Sequence, residues 1–385
     1  MCKSKKGDLM IYLDNAATGG FKPNSVIETA SSAIKYLNAN AGRSGHRLSK
    51  TASGFVYSCR KKLSNFFNNG KVENVIFTKN CSEALNIAIY GLAKSNTHVI
   101  TTCFEHNSVL RPLFTLEKNK VITLSVISPS NGKYITAKDV ETAFTPNTKL
   151  VIVNHVSNVT GDINDVKDIG NFLKNTNATF IVDGAQSGGH VKIDMTELNV
   201  DVLALAGHKG LYGIQGSGVL IFKDGIQIDD TFQGGTGTES FNPLQPSYYP
   251  EKLEIGTLNV PAICSLEEGV RYIESSIDYL SVRLTEMSKY LIDRLSLINN
   301  VKIYSTPNPV GIVAFSVDGV SSIEVAERLS DEFDVAVRGG FHCAPLMHKF
   351  LKTEDDGLVR ASICPYNTKR DIYILCDAVK TIALS

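Results

Sequence analysis

The chain has 385 residues, 43% of them hydrophobic, and its 39 Lys+Arg balance its 39 Asp+Glu. That balance excludes the basic footprint nucleic-acid binding requires, and no apolar run reaches the ~18 residues of a membrane span. The length suits one large and one small domain.

The opening "MCKSKKGDLM" is too short before the first strand-like segment to be expected as a cleaved leader. From about residue 70 to 222, short β-branched runs alternate with helical patterns. "NVIFTK" leads into "SEALNIAIYGLAK", which reads as a largely buried helix. "THVITT" leads into a helix over 107–119, "VITLSV" into one near 137–145, and "KLVIVNHV" into "VKDIGNFLKN". "TFIVDG", "DVLALA" and "GSGVLIF" supply further strands. The alternation predicts an α/β fold with a mostly parallel sheet flanked by helices. Residues 223–260, rich in Gly, Pro and polar residues, predict a loose connection. After Pro261 a helical pattern runs to about 298. "GIVAFSV", a helix at 322–332, "DVAVRG", "LVRASI" and a terminal helix from about 368 follow. They predict a small C-terminal α+β domain, with the boundary near 260.

Ligands of open α/β sheets collect at the carboxyl ends of the strands. The candidates there are Cys81 and Ser82, Glu105 and His106, Asn158, Asp183 and Gln186, and His208 and Lys209. Lysine is seldom buried unpaired, and it loses charge readily when desolvated, which makes it a Schiff-base nucleophile. Taken singly, Lys209 is also an ordinary lysine in a glycine turn, and Asp183 an ordinary N-cap. Together they predict a pyridoxal 5'-phosphate (PLP) site, which needs a lysine for its aldehyde and an acid for its ring nitrogen. The helix opening at Ser82 offers free N–H groups for the phosphate, although Ser82 with Glu83 also reads as a cap. His106 is suited either to stacking on the ring or to a structural role.

Cysteines stand at 2, 59, 81, 103, 264, 343, 364 and 376 with no CxxC pair. Most, including Cys364, read as small buried hydrophobes in a reducing compartment. No metal centre is expected, because nothing completes a set around His342 and Cys343. Cys343 differs from the others: Arg338 and His342 lie near it in sequence, and cationic neighbours favour a nucleophilic thiolate.

Read in order, "YLDNAAT", "GRSGHRLS", "FTKNCSEALN", "EHNSV", "HVSNVTG", "VDGAQS", "GHKGLYGIQG", "IGTLN", "RGGFHCAP" and "VRASICPYNT" span nearly the whole chain. This series resembles the cysteine desulfurases of the class V aminotransferase fold, most closely the branch that includes selenocysteine lyases. The resemblance implies a PLP-dependent transferase of fold type I. Its parts would be an N-terminal segment (1–20) lying with the small domain, a large PLP-binding domain (21–260) and a small domain (261–385) carrying the reactive cysteine. Lys209 would bind the cofactor covalently, Asp183 would hold the pyridine nitrogen, Gln186 the phenolic oxygen, and His106 would stack on the ring. Ser82, His208 and the backbone of Cys81 would hold the phosphate. Thr257 would reach the cofactor of the partner in a homodimer. Arg360 would clamp the substrate carboxylate, Asn158 would face the substrate, and Arg338 would lie near Cys343.

The implied reaction converts L-cysteine to L-alanine through aldimine and ketimine chemistry, with the sulfur captured on Cys343 as a persulfide. An unidentified acceptor protein would take the sulfur in the cytoplasm, with iron–sulfur cluster assembly among its destinations. L-selenocysteine is the alternative substrate, and another PLP-dependent aminotransferase or lyase the alternative activity. A non-catalytic scaffold is the distant alternative. The chain departs from the pattern at Ala206, where a serine is common, at Cys81, where a threonine is common, and at Gly42, where many relatives carry a histidine.

Overall fold

The computed structural model describes residues 10–42 and 44–384, so Cys2 and Arg43 lie outside the described residues. A short β1 (Ile11–Tyr12) is followed by α1 (Asn24–Tyr36) and α2 (Arg47–Phe67). There follow β2 (Val75–Thr78), α3 (Cys81–Leu92), β3 (Thr97–Thr102), α4 (Asn107–Lys118) and β4 (Ile122–Ile127). Next come α5 (Ala137–Ala143), β5 (Thr148–Asn154), α6 (Val166–Leu173), β6 (Thr179–Asp183), β7 (Val202–Ala206) and β8 (Gly218–Phe222). Among the described residues these strands form a seven-stranded sheet in the order β2-β8-β7-β6-β5-β3-β4. Neighbours from β7 to β4 are parallel, and β8 is antiparallel to both β7 and β2. The mostly parallel sheet is therefore as the alternating pattern predicts. Its central strands are buried on both faces, which is why β7 and β8 read as unbroken apolar runs.

Register fixes what the sheet presents at its carboxyl edge. Asn154 lies beside Asp183, and Asp183 beside Ala204, so the polar ends of β5 and β6 finish level with β7. No strand or helix is assigned to 223–259. A buried ion pair anchors this connection: Arg60 on α2 meets Glu254 through both carboxylate oxygens at 2.9 Å. Glu254 also accepts the Phe77 N–H at 2.7 Å, which ties the connection to β2.

Beyond it lie α7 (Val260–Glu274), α8 (Ile277–Leu295), β9 (Val301–Ile303), β10 (Ile312–Val317) and α9 (Ser322–Phe333). The chain closes with β11 (Val335–Ala336), α10 (Pro345–Leu351), β12 (Val359–Ser362) and α11 (Lys369–Ala383). The single helical pattern expected to 298 is thus two helices. Ser275 and Ser276 separate them, and both hydroxyls donate to the Tyr272 carbonyl at 3.2 and 2.7 Å, competing with the helical N–H groups. The two helices serve different cores. The apolar face of α7 joins the cluster built on α2, α6 and the sheet, whereas Leu284, Met287 and Leu291 of α8 join the cluster around β10 and α11. Ile277 and Leu280 at the start of α8 still pack with α7, so the change of core falls between Leu280 and Leu284. Strands β9, β10 and β12 form an antiparallel sheet, and β1 pairs in parallel with β11. "DVAVRG" yields only the two-residue β11, because its partner β1 is equally short.

Removing one partner of a buried ion pair leaves an uncompensated charge, at a cost of about 3–5 kcal/mol. We expect Arg60→Met to lower stability by about that amount in urea denaturation. Lys71→Met, which breaks the exposed Lys71–Asp224 pair, should leave the midpoint close to that of wild type. Equal midpoints for the two variants would contradict this account.

Candidate active site

A cavity opens at the carboxyl edge of the sheet, lined by Cys81, Ser82, His106, Asn158, Asp183, Gln186, His208 and Lys209. Eight of the residues proposed from the sequence thus come together here from separate loops. Lys209 follows β7 in a tight turn, where its N–H donates to the Ala206 carbonyl at 3.3 Å. The next residue must be glycine, since a Cβ on Gly210 would stand 2.4 Å from the Gly188 carbonyl oxygen. Burial pulls the Lys209 pKa down, opposed by the nearby charge of Asp183. Asp183 caps the end of β6, accepts the Ala185 N–H at 2.9 Å, and is pushed up by its own burial. The Cys81 thiol lies 3.5 Å from the same carboxylate.

The structure gives His106 a structural part. It is the N-cap of α4, with Nδ1 accepting the Ser108 N–H at 3.0 Å, and its ring lines the cavity. Burial, reinforced by Lys209, lowers its pKa to about 4, so the ring is neutral at pH 7. Because Nδ1 accepts, the proton sits on Nε2, and a chain of hydroxyls runs from Ser82 to Ser108 at 2.6 Å and on to His106 at 2.8 Å. Ser108 was not singled out from the sequence; its place two residues after an N-cap histidine is the signal. The cap of α3 is also a correction. Asn80, not Ser82, caps that helix, accepting the Glu83 N–H at 3.0 Å and leaving Ser82 exposed beside the cavity.

Arg338, Cys343 and Arg360 do not line this cavity; they lie beside it, tied to it through Asn158. Arg360 on β12 is 1% exposed. It donates to Asp14 at 2.9 Å and to the Asn158 carbonyl at 2.8 Å, and its Nε has no partner in the protein. Asn158 donates through Nδ2 to the His342 carbonyl at 2.7 Å, while its buried Oδ1 is unpartnered. Cys343 follows, partly exposed, with the Arg338 guanidinium 3.7 Å from its sulfur. His342 and Cys343 both take left-handed conformations, at φ of 50° and 56°. The Cys343 carbonyl accepts the Asn107 N–H at 2.7 Å. His342 is not the cation expected beside the thiol. It is buried, and burial and Arg360 hold its pKa well below the ordinary value, so it is neutral. Cys364, expected in the core, is partly exposed instead, because β12 ends at Ser362 and the chain turns outward. Thr257 lies apart, exposed in a separate groove with Lys79 and Gly216, where it accepts from Asn40 at 3.4 Å.

A family model described as Aminotransferase class-V matches residues 11–375. The chain belongs to the class-V aminotransferase family. It is 35% identical over 98% of its length to a probable cysteine desulfurase of Pyrococcus abyssi, covering 95% of that protein. It is 32% identical to a probable cysteine desulfurase of Methanothermobacter thermautotrophicus, with 97% of this chain and 94% of that one covered. The apo structure of a cysteine desulfurase from Thermococcus onnurineus NA1 superposes with a TM-score of 0.90 at 32% identity, covering 97% and 95% of the two chains.

Class-V aminotransferase chemistry depends on PLP. The donor set fits it. Lys209 and Asp183 offer the amine and the acid, and the N-terminus of α3 offers free N–H groups for a phosphate. The buried, unpartnered Asn158 Oδ1 offers an acceptor to a bound group.

Glu105, three residues beyond β3, accepts from Thr102 at 2.7 Å and from the Asn154 N–H at 2.8 Å, while its Oε2 has no partner. Burial pushes its pKa up from 4.5 to about 8. The folded state therefore holds a proton that the unfolded chain has released between those values, and stability falls as pH rises through that window. We expect the denaturation midpoint of Glu105→Gln to gain on wild type from pH 4.5 to about 8 and to level above it. A difference that does not change with pH would contradict the buried, protonated carboxyl.

Proposed function

We propose that this chain is a cysteine desulfurase that releases L-alanine from L-cysteine and captures the sulfur on Cys343. One observation carries the reading: a partly exposed thiol beside Arg338, on a turn whose preceding carbonyl is held by Asn158 of the cavity. An aminotransferase has no use for a thiol there, and the names of the relatives support the same reaction. When bound, PLP supplies an electron-withdrawing ring that stabilises negative charge at the substrate α-carbon.

The residues then divide the work. Arg360, with Nε free and both terminal nitrogens already oriented, holds the substrate carboxylate, and Asn158 Oδ1 faces the substrate. Asp183 holds the ring nitrogen, Gln186 the phenolic oxygen, and neutral His106 covers the ring face. Ser82, His208 and the Cys81 N–H hold the phosphate. Lys209 Nζ, its ammonium form disfavoured by burial, moves the α-proton. The Cys343 sulfur attacks the substrate sulfur; an S–S bond forms as the C–S bond breaks, and the electron pair stays on carbon, which takes a proton. The balance is L-cysteine plus Cys343 thiol giving L-alanine plus Cys343 persulfide.

We further propose a homodimer in which exposed Thr257 serves the partner's cofactor, and a separate protein that accepts the sulfur, as in iron–sulfur cluster assembly. The described cysteines are all free, which suits the reducing cytoplasm. Among the described residues no helix is long and apolar enough to cross a membrane.

With a thiol reductant present, wild type should release alanine from L-cysteine and Cys343→Ala should not. Equal release from both would mean that sulfur leaves without Cys343, in the manner of a selenocysteine lyase. Losing the bidentate guanidinium costs about 1.5–3 kcal/mol, so Arg360→Lys should raise KM for L-cysteine roughly 10–100-fold. An unchanged KM would remove Arg360 from carboxylate binding.

A further inference from the structure

The peptide between His208 and Lys209 is held from both sides. Its N–H is taken by the Ala206 carbonyl. Its carbonyl accepts the Gly19 N–H at 3.1 Å and the Lys22 ammonium at 2.8 Å. Thr18 contacts Nδ1 of the His208 ring at 3.0 Å. The turn from Thr18 to Lys22 lies so close that a Cβ on Gly19 would stand 3.2 Å from the Lys209 carbonyl oxygen and 3.3 Å from Lys22 Nζ. Lys22 is partly buried, and burial lowers its pKa to about 8. Its hydrogen bond goes to a carbonyl rather than to a carboxylate. Taking an ammonium out of water for one peptide oxygen is unfavourable unless that peptide has to be held.

We propose that Lys22 is a positioning residue for the reaction, fixing the His208–Lys209 peptide plane and with it the direction of both side chains. The plane sets ψ of His208 and φ of Lys209, so a tilt there swings the imidazole and the amine together. An ammonium does more than a neutral donor would. Its charge helps to keep His208 neutral, and it adds positive potential on the side where a phosphate would bind. The inference rests on Lys209 being the residue that binds the cofactor.

The test compares wild-type holoenzyme with Lys22→Met, Lys22→Gln and Lys22→Arg. The readouts are the circular dichroism of the visible cofactor band, per bound cofactor, and the rate of cofactor loss. A chromophore without chirality acquires this signal only from fixed, asymmetric surroundings, so its amplitude reports the orientation of the Lys209–cofactor bond. Lys22→Met should lose cofactor about tenfold faster, as expected for a lost charge-assisted hydrogen bond, with a several-fold weaker signal. Lys22→Arg should restore both, and Lys22→Gln the signal more than the retention. Wild-type values in Lys22→Met would overturn the proposal. Should that variant not fold, Lys22→Gln retaining cofactor as well as Lys22→Arg would overturn the role of the charge. Lys209→Ala separates the two readings. If it keeps the wild-type band, the assignment of Lys209 falls, and that of Lys22 with it. If it loses the band while Lys22→Met is unaltered, only Lys22 is excluded.

Discussion

Among the described residues Arg360 is the largest of the fully buried side chains, and the site is arranged around that fact. A guanidinium taken out of water costs several kcal/mol unless charge and hydrogen bonds offset it. The offsets come from distant parts of the chain: the Asp14 carboxylate after β1 and the Asn158 carbonyl after β5. Backbone bonds between Arg338 and Arg360, at 2.8 and 3.2 Å, tie the Cys343 turn to the strand that carries the guanidinium. Satisfying one charge thus brings the N-terminal strand, the large sheet and the small unit to a single point. It also places the cysteine turn, since Asn158 bonds both Arg360 and His342.

Burial and the crowding of cations around the cavity have a second effect. Burial acts first on His106 and His342, and Arg338 and Arg360 add to it at both, with Lys209 at His106, so the two rings stay neutral. His208 is likewise driven to about 4, by burial and by Lys209 and Lys22. The imidazoles therefore act as neutral surfaces and acceptors. Asp183 is the carboxylate set among these cations, and Lys209 draws its pKa down against burial.

Much of this was legible in the sequence because strand-end positions are easy to find. An apolar β-branched run that stops at a polar residue marks the carboxyl edge of the sheet, and Asp183 and Lys209 were read that way. Pairing across the edge was not legible. Asp14 meets Arg360 only because β1 docks on β11, and a two-residue strand leaves almost no periodic trace. Helices α1 and α2 went unread for a different reason. The buried face of α2 is interrupted by Ser49, Arg60 and Ser64, which find partners only in the folded chain, and that of α1 is no more than Val26, Ala30 and Ala33. The neutrality of His342 was equally hidden, since sequence neighbours give proximity to Arg338 and no measure of burial.

The left-handed turn at Cys343 bears on how the protein can be addressed by covalent ligands. Two successive non-glycine residues with positive φ each cost about 1–3 kcal/mol, and the turn persists because Asn158 and Asn107 hold both carbonyls. The backbone behind the sulfur therefore has no room to retreat, and the thiol moves only about its own side-chain torsion. An electrophilic inhibitor must bring its warhead in along that narrow arc. Selectivity over Cys59, Cys81, Cys103, Cys264 and Cys376 then follows from access, since those thiols are buried.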